Sequence, residues 1–315
     1  MIETVASAGL AVDEQLEIKK NRLQPEHRTG AEKRICLVTG THGDELEGQY
    51  VCWQVIRTIQ EHMSALHGIV DVYPALNPLG IDCMSRGIPM FDLDMNRIFP
   101  GSETNHMAEW TANHILNDMK GADLCIDIHA SNVYLREVPQ ARISEQSAPG
   151  LLPYAKQLNV DYIWIHEAAT VLESTLAYSL NAAGTPALVV EMGIGLRITE
   201  AYCRQLTDGI FYLMRQMGIW DGPCPQQVRT PAVSSDGHVS IINAGAAGIF
   251  VPRVDHWNHI KKGEHIGDIL DPLHGEVRER ISSPADGMVV TLREHPIVME
   301  GALIARIFEG AGYDG

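Results

Sequence analysis

The chain has 315 residues, with 24 Lys and Arg against 40 Asp and Glu, a formal net charge of -16. That balance repels phosphate backbones and anionic lipid surfaces, so nucleic acid and membrane are excluded as expected partners. Hydrophobic residues make up 45% and no long Pro-, Ser- or Gln-rich tract is present, which excludes disorder and fits one large domain, or one large and one small.

The N-terminal stretch Met1 to Leu10, followed by Glu14, Glu17, Lys19 and Lys20, lacks a basic start leading into an apolar run, and no segment is apolar over the length of a membrane span. The cytoplasm is therefore the expected compartment. From residue 35 to 220, short apolar runs alternate with segments of helical period, the pattern of a layered α/β architecture. The runs 35–39, 69–73, 124–128 and 187–191 are near-continuously apolar, as strands covered on both faces must be. Helices are expected between them. After Asp44, the positions Cys52, Val55, Ile59 and Met63 give a buried stripe on a helix running to about Ser64. Further helices fit 103–120, 148–158, 174–183 and 199–218. The six cysteines, at 36, 52, 83, 125, 203 and 224, form no CxxC pair and read as reduced, mostly buried thiols.

The segment Trp220-Asp221-Gly222-Pro223-Cys224-Pro225 punctuates the helical pattern and reads as a linker. Beyond it, short strands at 238–243, 248–252, 287–292 and 303–308 alternate with turns such as Asp286-Gly287 and Glu300-Gly301. The expected organisation is a catalytic domain over 1–222 and a small all-β domain over 223–315.

Chemistry concentrates where strands end. Gly40-Thr41-His42-Gly43-Asp44-Glu45 follows the first apolar strand, so an imidazole leaving the strand and a carboxylate from the first helical turn can converge on one metal. His129 ends another apolar strand and is the natural third ligand. Glu191 ends a further one, where a buried acid needs a task or a partner: it suits a general base for metal-activated water, or an ion pair with Arg97 or Arg197. Asp94 is placed to accept the second ring proton of His42. Arg86 and Arg97 are suited to gripping a carboxylate or steadying an oxyanion. Arg136, on the segment after His129, could contact substrate or pair locally with a carboxylate such as Glu137.

The set Gly-x-His-Gly-x-Glu at 40–45, Asp-x-Asn-Arg at 94–97, Asp-x-His at 127–129 and Glu-Met-Gly at 191–193 resembles, in this order, the succinylglutamate desuccinylase and aspartoacylase family. The resemblance covers about residues 30 to 220. It implies a three-layer α/β/α zinc carboxypeptidase-like domain with a mixed sheet. It also implies one Zn2+ held by His42, Glu45 and His129, a substrate carboxylate held by Asn96 and Arg97, a scissile carbonyl polarised by Arg86, and Glu191 as general base. In the C-terminal part, 283–287 and 301–304 resemble the half-motifs of lipoyl-type barrel-sandwich domains, with Met299-Glu300 where a carrier would place lysine. The expected function is hydrolysis of the amide of an N-acyl amino acid. Alternatives are a metallocarboxypeptidase acting on short peptides and a catalytically degenerate metal-binding or scaffold protein. The expected partner is that small molecule, with a homo-oligomer allowed.

Overall fold

The computed structural model describes residues 1–167, 173–235 and 238–310. An antiparallel hairpin of β1 (Ile2–Gly9) and β2 (Gln15–Leu23) opens the chain. The alternating part then runs β3 (Arg34–Thr39), α1 (Glu47–Glu61), β4 (Ile69–Tyr73), α2 (Pro78–Asp82), α3 (Met107–Met119) and β5 (Leu124–Ala130). It continues through β6 (Leu135–Ser144), α4 (Ala148–Ala155), β7 (Tyr162–His166), α5 (Leu176–Ala182), β8 (Ala187–Gly193) and α6 (Glu200–Gln216). Strands make up the rest: β9 (Ala232–Ser235), β10 (Val239–Asn243), β11 (Gly248–Pro252), β12 (His259–Ile260), β13 (His265–Asp271), β14 (Glu276–Ser282), β15 (Gly287–Arg293), β16 (Ile297–Val298) and β17 (Leu303–Phe308).

The four apolar runs become β3, β4, β5 and β8, which lie side by side and parallel in the order β4-β3-β5-β8. Their near-continuous apolarity has a direct cause. On one face, Leu37, Ile126, Leu188 and Val190 pack with Val51 and Val55 of α1, Leu151 of α4 and Leu206 of α6. On the other, Cys36, Val38, Cys125 and Ala187 pack with Ala112 and Ile115 of α3 and Leu180 of α5. This is the three-layer α/β/α arrangement with a mixed sheet, since β2 joins β4, and β6 joins β8, in antiparallel fashion.

The C-terminal strands divide between two sheets. Four of them form a separate antiparallel sheet in the order β14-β13-β11-β16, whose core includes Phe250, Ile266, Ile269 and Ile281. The others extend the main sheet: β15 pairs with the first residues of β6, β17 with β15, and β10 with β17. Past the Pro/Gly punctuation, β9 returns to pair in parallel with β7. All six cysteines are unpaired and four are buried. No helix among the described residues is long and apolar enough to cross a membrane.

Candidate active site

Parallel pairing puts the carboxyl ends of β3, β5 and β8 on one edge. There the chain leaves β3 through α1 toward β4 on one side while β5 flanks it on the other, which opens a crevice where loops converge. His129 and Glu191 stand directly opposite each other in the β5–β8 register. His42 and Glu45 sit in the turn between β3 and α1. Gly40 takes a φ of +68°, and a Cβ on Gly43 would lie 2.0 Å from a backbone atom of Gly80, so both positions require glycine for the turn to fold this tightly. The Gly43 N–H donates to the Ser85 carbonyl at 3.0 Å, tying the turn to the loop that carries Arg86.

The Nδ1 atoms of His42 and His129 lie 2.7 and 2.8 Å from the two oxygens of Glu45. All three residues are buried, and their ligand atoms lie within 4.8 Å of one another, the one such group among the described residues. Behind each imidazole stands a carboxylate. Asp94 Oδ1 is 2.9 Å from His42 Nε2, the position the sequence suggests for it. Asp127 Oδ2 is 3.1 Å from His129 Nε2, too poorly aligned for a hydrogen bond. A carboxylate hydrogen-bonded as Asp94 is orients a metal-bound histidine. Sequence reasoning misses Asp127, although residues two apart on a strand share a face.

Burial opposes charge on these imidazoles, yet the carboxylates outweigh it. Asp94 and Glu45 raise the pKa of His42, and Asp127 and Glu45 raise that of His129 well above the usual imidazole range. Burial likewise works to raise Glu45, but His129 and His42 hold its carboxyl low. Two imidazole nitrogens and one carboxylate, buried and converging, match the donor types and the number that a catalytic zinc ion takes from protein. The residues present therefore fit a zinc ion.

Glu191 faces the same cavity with 19% of its side chain exposed, and its partner is Arg142 rather than Arg97 or Arg197: Arg142 Nη1 donates to Glu191 Oε1 at 3.4 Å. Burial pushes the Glu191 carboxyl up, with Arg142 and His129 opposing. Arg86, Asn96 and Arg97 come from the loop between α2 and α3. Arg86 Nη1 donates to Glu45 Oε1 at 2.9 Å. Asp94 caps the short turn Met95–Arg97 by accepting from the Asn96 N–H at 2.8 Å, and Asn96 Oδ1 accepts from the Leu176 N–H at 3.0 Å. Arg97 is exposed and donates to the Asn96 carbonyl at 2.8 Å.

The cavity holds about 590 Å³ and is lined at one end by His42, Arg86, Asn96, Arg97, His129, Arg142 and Glu191. From there it extends along β8, past Val189 and Ala187, between the start of α4 and α5. Arg136 is not brought to it. That side chain donates to Glu294 Oε1 at 3.3 Å, and its guanidinium lies 5.4 Å from the Tyr202 ring. Arg142 lines the cavity unannounced by the sequence, because Pro139 sits inside β6 and breaks the run as a strand signal.

Residues 31–217 match the family model described as the succinylglutamate desuccinylase/aspartoacylase catalytic domain. No curated protein matches the chain. Among solved structures, the succinylglutamate desuccinylase/aspartoacylase of Rhodobacter sphaeroides is 21% identical with a TM-score of 0.82, covering 100% of this chain and 96% of its own. A succinylglutamate desuccinylase from Silicibacter sp. TM1040 is 19% identical with a TM-score of 0.83, the match covering 98% and 95%. The product-bound ectoine utilization protein EutE (DoeB) of Ruegeria pomeroyi is 19% identical with a TM-score of 0.81, covering 96% and 92%. At these identities the likeness is one of fold.

Proposed function

Since the chain belongs to the succinylglutamate desuccinylase/aspartoacylase family of deacylases, we propose that it is a zinc-dependent hydrolase cleaving the amide bond of an N-acyl amino acid. The observation that carries this reading is the convergence of His42 Nδ1 and His129 Nδ1 on Glu45, with Glu191 beside His129 in the strand register. His42, Glu45 and His129 hold the ion. Bound there, zinc supplies Lewis-acid polarisation and activation of water at neutral pH. Asp94, hydrogen-bonded to His42 Nε2, would keep that imidazole turned toward it. Glu191 takes a proton from the attacking water on its carboxylate and passes it to the departing nitrogen, a role that a carboxyl pushed up by burial suits. Arg86 swings from Glu45 to the developing oxyanion, while Arg97 and Asn96 hold the substrate carboxylate. The expected compartment is the cytoplasm, where six unpaired thiols stay reduced.

The test is a panel of N-succinyl-L-glutamate, N-acetyl-L-aspartate, N-acetyl-L-leucine, Nα-acetyl-L-lysine and simple dipeptides, offered to the zinc-loaded protein with release of free amine followed. Turnover of acyl amino acids is expected, with Glu191→Gln keeping its zinc and losing about a hundred- to ten-thousandfold in kcat. Cleavage of dipeptides alone would make the protein a carboxypeptidase. Inertness toward the whole panel would remove the enzymatic reading.

A further inference from the structure

A row of polar residues crosses the main sheet at right angles to its strands. His129 on β5 stands opposite Glu191 on β8, and Glu191 opposite Gln140 on β6. Glu137, also on β6, stands opposite Thr291 on β15, and Thr291 opposite Arg306 on β17. The register shifts between Glu137 and Gln140, where Pro139 sits, and this bulge brings both into one row. The row thus runs from a metal-ligand strand to the last strand of the chain.

Its side chains alternate in charge. Glu191 Oε1 accepts from Arg142 Nη1 at 3.4 Å, and Arg142 Nη2 lies 3.3 Å from Glu137 Oε1. The same Glu137 oxygen accepts from Arg306 Nη1 at 2.8 Å, while Oε2 accepts from Thr291 Oγ1 at 2.8 Å and from Gln140 Nε2. Glu137, Gln140 and Thr291 are buried, and both guanidiniums lie 5.4 Å from the Trp164 ring. If packing were the whole purpose, apolar residues would serve, as Val138, Val290 and Phe308 do beside them. What the network adds is direction: Glu137 draws Arg142 from one side while Glu191 draws it from the other. Removing Arg306 leaves Glu137 with Arg142 as its nearest cation and pulls that guanidinium away from Glu191.

We propose that Arg306 is a positioning residue for the hydrolytic centre. With Thr291 it holds Glu137, Glu137 holds Arg142, and Arg142 sets the Glu191 carboxylate beside the metal cluster. The proposal rests on the assignment of Glu191 as general base. It gives the C-terminal strands a part in catalysis without any contact to substrate.

The experiment compares Arg306→Met, Arg306→Lys, Thr291→Val, Glu191→Gln and the double variant Glu191→Gln/Arg306→Met on the panel substrate turned over fastest. Zinc content and thermal midpoint are measured on the same samples. Arg306→Met keeps an unbranched apolar side chain in place of the charge and should lower kcat about ten- to a hundredfold, the scale of a small misplacement, with KM and zinc content near wild type. Arg306→Lys, which can still reach Glu137, should recover part of that loss. The double variant should be no slower than Glu191→Gln alone, because both changes act through one group. A lowered thermal midpoint with wild-type kcat would make Arg306 purely structural and overturn the proposal, as would additive losses in the double variant. If Arg306→Met does not fold, Thr291→Val carries the test: a fall in kcat with KM unchanged supports it, and wild-type kcat overturns it. Glu191→Gln with near-normal turnover would fail the base assignment itself, seen without touching Arg306.

Discussion

His42 and His129 sit between carboxylates that raise their proton affinity, so protons and zinc compete for the same nitrogens. Because the shifts are upward, zinc affinity should already fall as pH drops from neutrality; titrations with zinc at pH 8, 7 and 6 check the sign, and a flat affinity would contradict it. His42→Ala and His129→Ala should each lose zinc by elemental analysis while keeping a cooperative melt, since the site lies at strand ends. Full zinc occupancy in either variant would remove that residue from the ligand set. Arg97→Lys should cost about 1.5 to 3 kcal/mol in kcat/KM, roughly ten- to a hundredfold, because a lysine cannot grip a carboxylate at two points. Methyl esterification of the substrate is the control: if acid and ester lose equally, Arg97 does not hold that carboxylate. Most of these residues are legible in the sequence because each ends an apolar run or sits in a tight Gly-containing turn. Arg142, Glu137 and Arg306 are not, since what gives them meaning is one another, across separations that no local pattern encodes.

Among the elements, strands covered on both faces announce themselves, as do the helices between them and the turn-bounded strands β10, β11, β15 and β17; strands rich in charge do not. β3, β4, β5 and β8 emerge from the sequence to within two residues, while β2, with Glu17, Lys19, Lys20 and Arg22, has no apolar run and gives no strand signal. Part of its charge is met by a tertiary partner: Arg22 Nε and Nη2 donate to both oxygens of Asp71 on β4 at 2.7 Å, and Arg34 of β3 adds a bond from its Nε to Asp71 Oδ2 at 2.8 Å. Asp71 is fully buried, and burial would raise its carboxyl, yet Arg22, Arg34 and Lys20 hold it below the usual carboxylate range. A depressed folded pKa stabilises at pH values above the unfolded one and is lost as pH falls through the folded one. Asp71→Asn should therefore cost about 1.5 to 3 kcal/mol near pH 7, the worth of the charged hydrogen bonds that Arg22 and Arg34 make to it, with the gap to wild type narrowing below about pH 4. Denaturant melts of both proteins at pH 7 and pH 3 measure it; an equal gap at both would show that the ion pairs are not its source.

For the molecule as a whole, the sequence suggests two units joined at a linker, and the sheet runs across that line. β15 borders β6, β9 borders β7, and Val138 and Tyr162 pack with Val290 and Phe308. A chain ending at residue 222 should accordingly be insoluble or melt without cooperativity, because an edge of β6 and part of a buried cluster lose their cover. A soluble, cooperatively melting 1–222 fragment would refute this. The polar ladder and the β6–β15 pairing have no local signature, since residues 154 positions apart supply the two halves. That separation has a cost in time. At typical rates of synthesis, β15 follows β6 by roughly 8 to 30 s, and throughout that wait Leu135–Glu137 presents open backbone donors and acceptors to any passing strand. The danger period for this chain falls during translation, so yield in an expression host should respond to slower growth or added chaperone more than to stabilisation of the finished fold.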